Sequence, residues 1–93
     1  MTVPATGSRT GSRPVLVRYF AAAADAARTE QETMDIPAEA TVGWLRSQLT
    51  GRYGKAMTTA IRNGTFLVDG VAETDERASL GDSVDVLPPF AGG

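Results

Sequence analysis

The sequence predicts an α+β fold in which one mixed sheet lies across one main helix. Three observations carry this. Short runs of β-branched and aromatic residues occur towards both ends of the chain, bounded by turn signals. Between them, one stretch repeats its apolar residues at spacings of three and four. The last β-type run passes straight into Pro88-Pro89, and two prolines stop further sheet pairing.

The elements follow in order. Residues 1–13 are rich in Thr, Ser, Gly and Arg without periodicity, and read as a disordered leader. After Pro14, residues 15–20 read as a strand. Val15, Val17 and Tyr19 share one face, and Leu16, Arg18 and Phe20 share the other, which Arg18 keeps partly wet. Residues 21–27 are alanine-rich and read as a loop with a short helix. Residues 29–36 form a second strand that stops at Pro37, and its many charges suit a sheet edge.

Thr41 is a good N-cap, and Val42, Leu45, Leu49 and Tyr53 mark the buried stripe of a helix that Gly51 and Gly54 would end. Trp44 lies opposite the stripe. It reads equally as a partner contact or as packing against the leader or a loop. Residues 55–62 could form a further short helix with Met57 and Ile61 inward. Asn63-Gly64 is a turn, residues 65–68 a strand, and Asp69-Gly70 a hairpin turn into residues 71–73. Residues 74–77 read as a polar loop and residues 80–83 as a turn. The final strand, 84–87, turns Val84 and Val86 inward and Leu87 away from the core.

The helix therefore falls between two hairpin-like halves. A helical crossover lets the first and last strands pair in parallel at the sheet centre. This is the β-grasp arrangement, with residues 14–87 as the domain and 88–93 as a flexible tail.

Composition narrows the functions. At 93 residues there is room for one small domain with a modest core. Net charge is −2, and it is −4 once Arg9 and Arg13 are set aside, which argues against a nucleic-acid surface. A mildly acidic face suits a basic partner better. The absence of Cys and His excludes disulfides, thiol and imidazole catalysis, and Cys or His metal sites. No apolar run approaches a membrane span, so the cytoplasm is the default compartment. Asp69, Asp75, Asp82 and Asp85 read as turn and surface residues rather than as a catalytic set.

The most informative stretch is the last, Val86-Leu87-Pro88-Pro89-Phe90-Ala91-Gly92-Gly93. The prolines stiffen the exit from the sheet. Beyond Ala91 there is no side chain, so the end could pass a channel that any Cβ would block. Gly93, as the last residue, is expected to present its α-carboxylate as the working group.

Together, Val17-Arg18-Tyr19-Phe20-Ala21, Thr41-Val42 with Leu45 and Leu49, and residues 84–93 with their Pro-Pro-x-x-Gly-Gly ending resemble the MoaD/ThiS family of ubiquitin-like sulfur carriers. The resemblance is strongest to the branch that supplies the small subunit of molybdopterin synthase. It differs in the turn Leu80-Gly81-Asp82-Ser83-Val84, in Asp69 where the family often has Asn, and in the extra leader.

The resemblance implies a carrier without a stand-alone catalytic site and with no bound cofactor. A ubiquitin-activating-like adenylyltransferase would use ATP to adenylate Gly93. A sulfur donor protein would then displace AMP to leave a thiocarboxylate. Gly92, Ala91, Phe90, Pro89 and Pro88 would thread into the large synthase subunit, Phe20 and Leu87 would help dock it, and the sulfur would pass to a cyclic pterin. Other readings remain open: a sulfur carrier for thiamine or cysteine synthesis, a protein modifier joined to lysine, or a non-covalent β-grasp binding module.

Overall fold

Two strands from opposite ends of the chain lie side by side at the centre of a five-stranded sheet. The computed structural model describes residues 11–89. Its elements are β1 (Ser12–Tyr19), α1 (Ala22–Ala27), β2 (Gln31–Pro37), α2 (Val42–Tyr53), α3 (Lys55–Ile61), β3 (Thr65–Val68), β4 (Val71–Glu73) and β5 (Ser83–Leu87). The strand order is β2-β1-β5-β3-β4. β1 and β5 are parallel, with Leu16 opposite Ser83 and Arg18 opposite Asp85, and the other neighbours are antiparallel. This is the β-grasp arrangement that the order of elements predicts.

β1 starts earlier than expected. Ser12 and Arg13, read as leader, already pair with Pro37 and Ile36 of β2. The Arg13 guanidinium also donates to the carbonyls of Leu80 and Gly81, tying the start of β1 to the turn before β5. Local composition hid this, because the partners lie far away in sequence. Residues 1–10, the rest of the expected leader, lie outside the described residues. Pro14 is tolerated in a central strand because it precedes Leu16, where the pairing with β5 begins.

The core lies between the sheet and the helices. Val15, Val17 and Tyr19 of β1 and Val84 and Val86 of β5 face Leu45, Leu49, Met57 and Ile61, all buried. The Thr41 hydroxyl accepts the Trp44 N–H at 3.2 Å and caps α2 as expected. α2 runs through Gly51 and stops at Tyr53, where Gly54 takes a φ of 76°. A lone glycine in a helix that packing already holds is a modest penalty, not a stop. Trp44 is half-buried and packs against the core, so packing rather than a free partner surface describes its place. Among the described residues, no helix is long and apolar enough to cross a membrane.

Candidate functional site

β5 delivers the chain to the tail. It ends at Leu87, Pro88 is buried, and Pro89 is exposed. Phe90, Ala91, Gly92 and Gly93, on which most of the expected chemistry rests, lie outside the described residues. The described part of the site is therefore the root of the tail and the surfaces around it.

Two structures shape the root. The turn after α3 brings Gly64 so close that a Cβ there would lie 2.5 Å from the Leu87 carbonyl oxygen. Beside the prolines, an open apolar groove of about 350 Å³ is lined by Ala21, Ala22, Ala56, Ala60, Pro88 and Pro89, among others. Its walls come from α1, α3 and the tail itself. Small residues leave it concave, because alanines carry the helices past one another without filling the gap.

On the open face of the sheet, Phe20 is 39% exposed and Leu87 is half-buried. The Phe20 N–H donates to the Val86 carbonyl at 3.2 Å, which places Phe20 at the tail end of β5, next to the strand that carries Leu87. The two predicted docking residues thus share one end of one face. Between the central strands, Arg18 donates through Nε to Asp85 Oδ1 at 2.7 Å and through Nη2 to Oδ2 at 3.0 Å. Asp85 is only 9% exposed, so it is not the surface residue that the sequence suggests. Its partner raises the Arg18 pKa, first by the hydrogen bond and then by the opposite charge.

Behind Phe20, a carboxylate clasps β2 to α2. Glu32 accepts from the hydroxyls of Tyr19 and Tyr53, and from Arg52 Nη1 at 3.1 Å. The tyrosine rings meet edge to face with centroids 6.1 Å apart. Burial, and then the bond to Glu32, push the Tyr19 hydroxyl far above its ordinary range; the same two causes raise Tyr53. Both therefore stay protonated donors. The hydrogen bond with Tyr53 chiefly raises Arg52.

What the described site can do chemically is position and present. Among the described residues no three His, Cys, Asp or Glu are grouped to hold a metal ion. Glu32 and Asp85 are both engaged by cations or hydroxyls of the fold. Sequence reasoning missed Gly64, Ala21 and the Arg18–Asp85 pair. Only the last left a trace: opposite charges, both placed by alternation on the open face.

Comparisons with known proteins agree with this architecture. The ThiS family model matches residues 17–93. Among solved structures, the Haloferax volcanii HVO 2177 protein superposes with a TM-score of 0.72 at 26% identity, covering 89% of each chain. A Pyrococcus furiosus protein provisionally named molybdopterin converting factor, subunit 1, gives 0.69 at 26% identity, over 83% of this chain and 98% of its own. The small archaeal modifier protein 1 of H. volcanii gives 0.67 at 22% identity, over 83% and 98%, a likeness of fold alone. No curated protein is similar enough in sequence to match the chain. With a match that spans most of its length and reaches Gly93, this β-grasp protein belongs to the ThiS family.

Proposed function

We propose that this protein is a sulfur carrier of molybdenum cofactor biosynthesis, acting as the small subunit of molybdopterin synthase. The Gly93 carboxylate attacks the α-phosphate of ATP on an adenylyltransferase, releasing pyrophosphate. Sulfide-level sulfur released by a sulfur donor protein then attacks the acyl carbon, AMP departs, and a thiocarboxylate is left with no change of oxidation state. A carboxylate is a poor electrophile and carries no sulfur; adenylation gives it a leaving group, and the thiocarboxylate is a soft nucleophile. The tail, residues 88–93, delivers that sulfur to a cyclic pterin inside a larger synthase subunit, with Phe20 and Leu87 on the docking face. The protein itself binds no cofactor in this cycle.

One observation carries the reading. A family match that runs to the final Gly-Gly coincides with a tail that leaves the central strand through a buried proline. Similarity to the P. furiosus converting factor supports the molybdopterin branch. Similarity of fold to a small archaeal modifier supports a second reading, in which Gly93 forms an isopeptide bond to lysine.

Intact mass spectrometry tests both. The full chain is incubated with a ubiquitin-activating-like adenylyltransferase, ATP and a sulfur donor protein. The expected result is one oxygen replaced by sulfur, mapped to Gly93. A lysine conjugate would favour the modifier. An unchanged mass with an adenylyltransferase known to be active would refute both.

A further inference from the structure

The root of the tail passes a point on the body where there is no room for a side chain. At Gly64, an added Cβ would lie 2.5 Å from the Leu87 carbonyl oxygen, 3.2 Å from the Pro88 Cα and 3.3 Å from the Ile61 carbonyl oxygen. All three neighbours are backbone, so none can step aside by changing rotamer. The glycine is held in place from two sides. Its N–H donates to the Ile61 carbonyl at 3.0 Å, and the next residue, Thr65, is paired with Leu87. Its φ lies outside the left-handed region, so alanine adds volume there without backbone strain.

Pro88 has no N–H with which to join the sheet. Packing therefore decides where it goes, with Gly64 close to its Cα and the groove beside α3 along its other side. Ordinary van der Waals contact begins near 3.4 Å, so relieving a 2.5 Å contact means moving the root by close to 1 Å.

We propose that Gly64 is a positioning residue for the tail: its missing side chain lets Leu87 and Pro88 close against the end of α3, and that contact sets the direction in which the chain leaves the sheet. The proposal rests on reading the tail as the working end. Gly64 touches no reacting atom. It acts through Leu87 and Pro88, as a fixed support does for an arm. A misplacement of about 1 Å at a reacting centre can slow chemistry by as much as ~100-fold.

The test compares Gly64→Ala with Gly81→Ala. A Cβ at Gly81 would overlap the Asp69 carboxylate, at the opposite end of β5 from the tail. Both variants lose stability, but only one disturbs the root. In the free full-length chain, NMR reads the amide shifts of Leu87 and Phe90. With an adenylyltransferase, ATP and labelled pyrophosphate, exchange kinetics separate kcat from KM.

Gly64→Ala is expected to shift both amides and to lower kcat by ~10- to 100-fold with little change in KM. Gly81→Ala should leave those amides and kcat near wild type. Unshifted amides in folded Gly64→Ala, or equal kcat losses in the two variants, would overturn the proposal. If Gly64→Ala does not fold, the wild-type chain still decides: NMR must show a nuclear Overhauser contact between the Hα protons of Gly64 and Pro88, and its absence overturns the idea. An unreactive wild-type chain would refute the sulfur-carrier reading instead, while the amide shifts still decide the role of Gly64.

Discussion

Arg18 and Asp85 stand at the same level of the two central strands, and the guanidinium grips both oxygens of a carboxylate that is nearly buried. The arrangement is asymmetric. The Arg18 side chain keeps 46% of its surface in water, whereas that of Asp85 keeps 12%. Arg18→Ala strands a buried carboxylate; Asp85→Ala merely returns a guanidinium to solvent. Arg18→Ala should therefore lower the Tm by more than Asp85→Ala. Equal losses in thermal unfolding would contradict the asymmetry.

Asp69 and Gly81 form a second fitted pair. Asp69 Oδ1 accepts the N–H groups of Asp82 and Ser83, each at 3.0 Å, and the carboxylate lies where a Gly81 side chain would be. Asp69→Ala should cost about 1–2 kcal/mol for the lost acceptor. Gly81→Ala should be worse alone than in the double variant, because removing the carboxylate opens the space. Urea unfolding of the three variants measures the coupling, and strict additivity would speak against it.

Ala21 has φ 51° and ψ −126°, a region that favours glycine, at the corner between β1 and α1. Ala21→Gly relieves that strain but makes the unfolded chain freer. The net expectation is a gain of about 1 kcal/mol, read from the shift in urea midpoint at constant m-value. A loss of stability would show that the alanine methyl is needed beside the groove.

The Tyr19 pKa is raised above its ordinary value of 10.0, chiefly by burial. The sign follows directly. An unfolded tyrosine ionises near its ordinary value while the folded one still holds its proton. This contribution is complete below about pH 10 and is lost as pH climbs beyond it towards the folded value. Stability should fall above about pH 10, and Tyr19→Phe should flatten part of that fall. Denaturant titrations at pH 8 to 11 check it.

Phe20 is exposed, so Phe20→Ala should change stability by less than about 1 kcal/mol. If it anchors a large synthase subunit, its affinity should drop by ~10-fold or more in titration calorimetry. An unchanged affinity would move the docking surface elsewhere.

The sequence showed what depends on period and punctuation. Alternation in residues 15–19 and 84–87 placed Val15, Val17, Val84 and Val86 inside, and they are buried. The stripe through Leu45 and Leu49 and the cap at Thr41 also stand as expected. What sequence could not show depends on distant backbone. Asn63-Gly64 reads as an ordinary turn until Leu87 is seen against it. Asp85 looks solvated because nothing local reveals that β5 is central and that Arg18 lies opposite. Ser12 looks unstructured until β2 pairs with it. The terminal glycines were singled out by residue type, and the family match over residues 17–93 includes them.

The strand that carries the tail is also the keystone of the sheet. Among the described residues, β5 alone joins the β2–β1 ribbon to the β3–β4 ribbon within the sheet. A chain cut within it would expose the long flank of β1 and the flank of β3, two bare edges that invite aggregation. Proteolytic cleavage within β5 would thus cost the sheet its central link. It would leave the two hairpins joined only through the helices between them, each with a bare edge prone to stick or be digested.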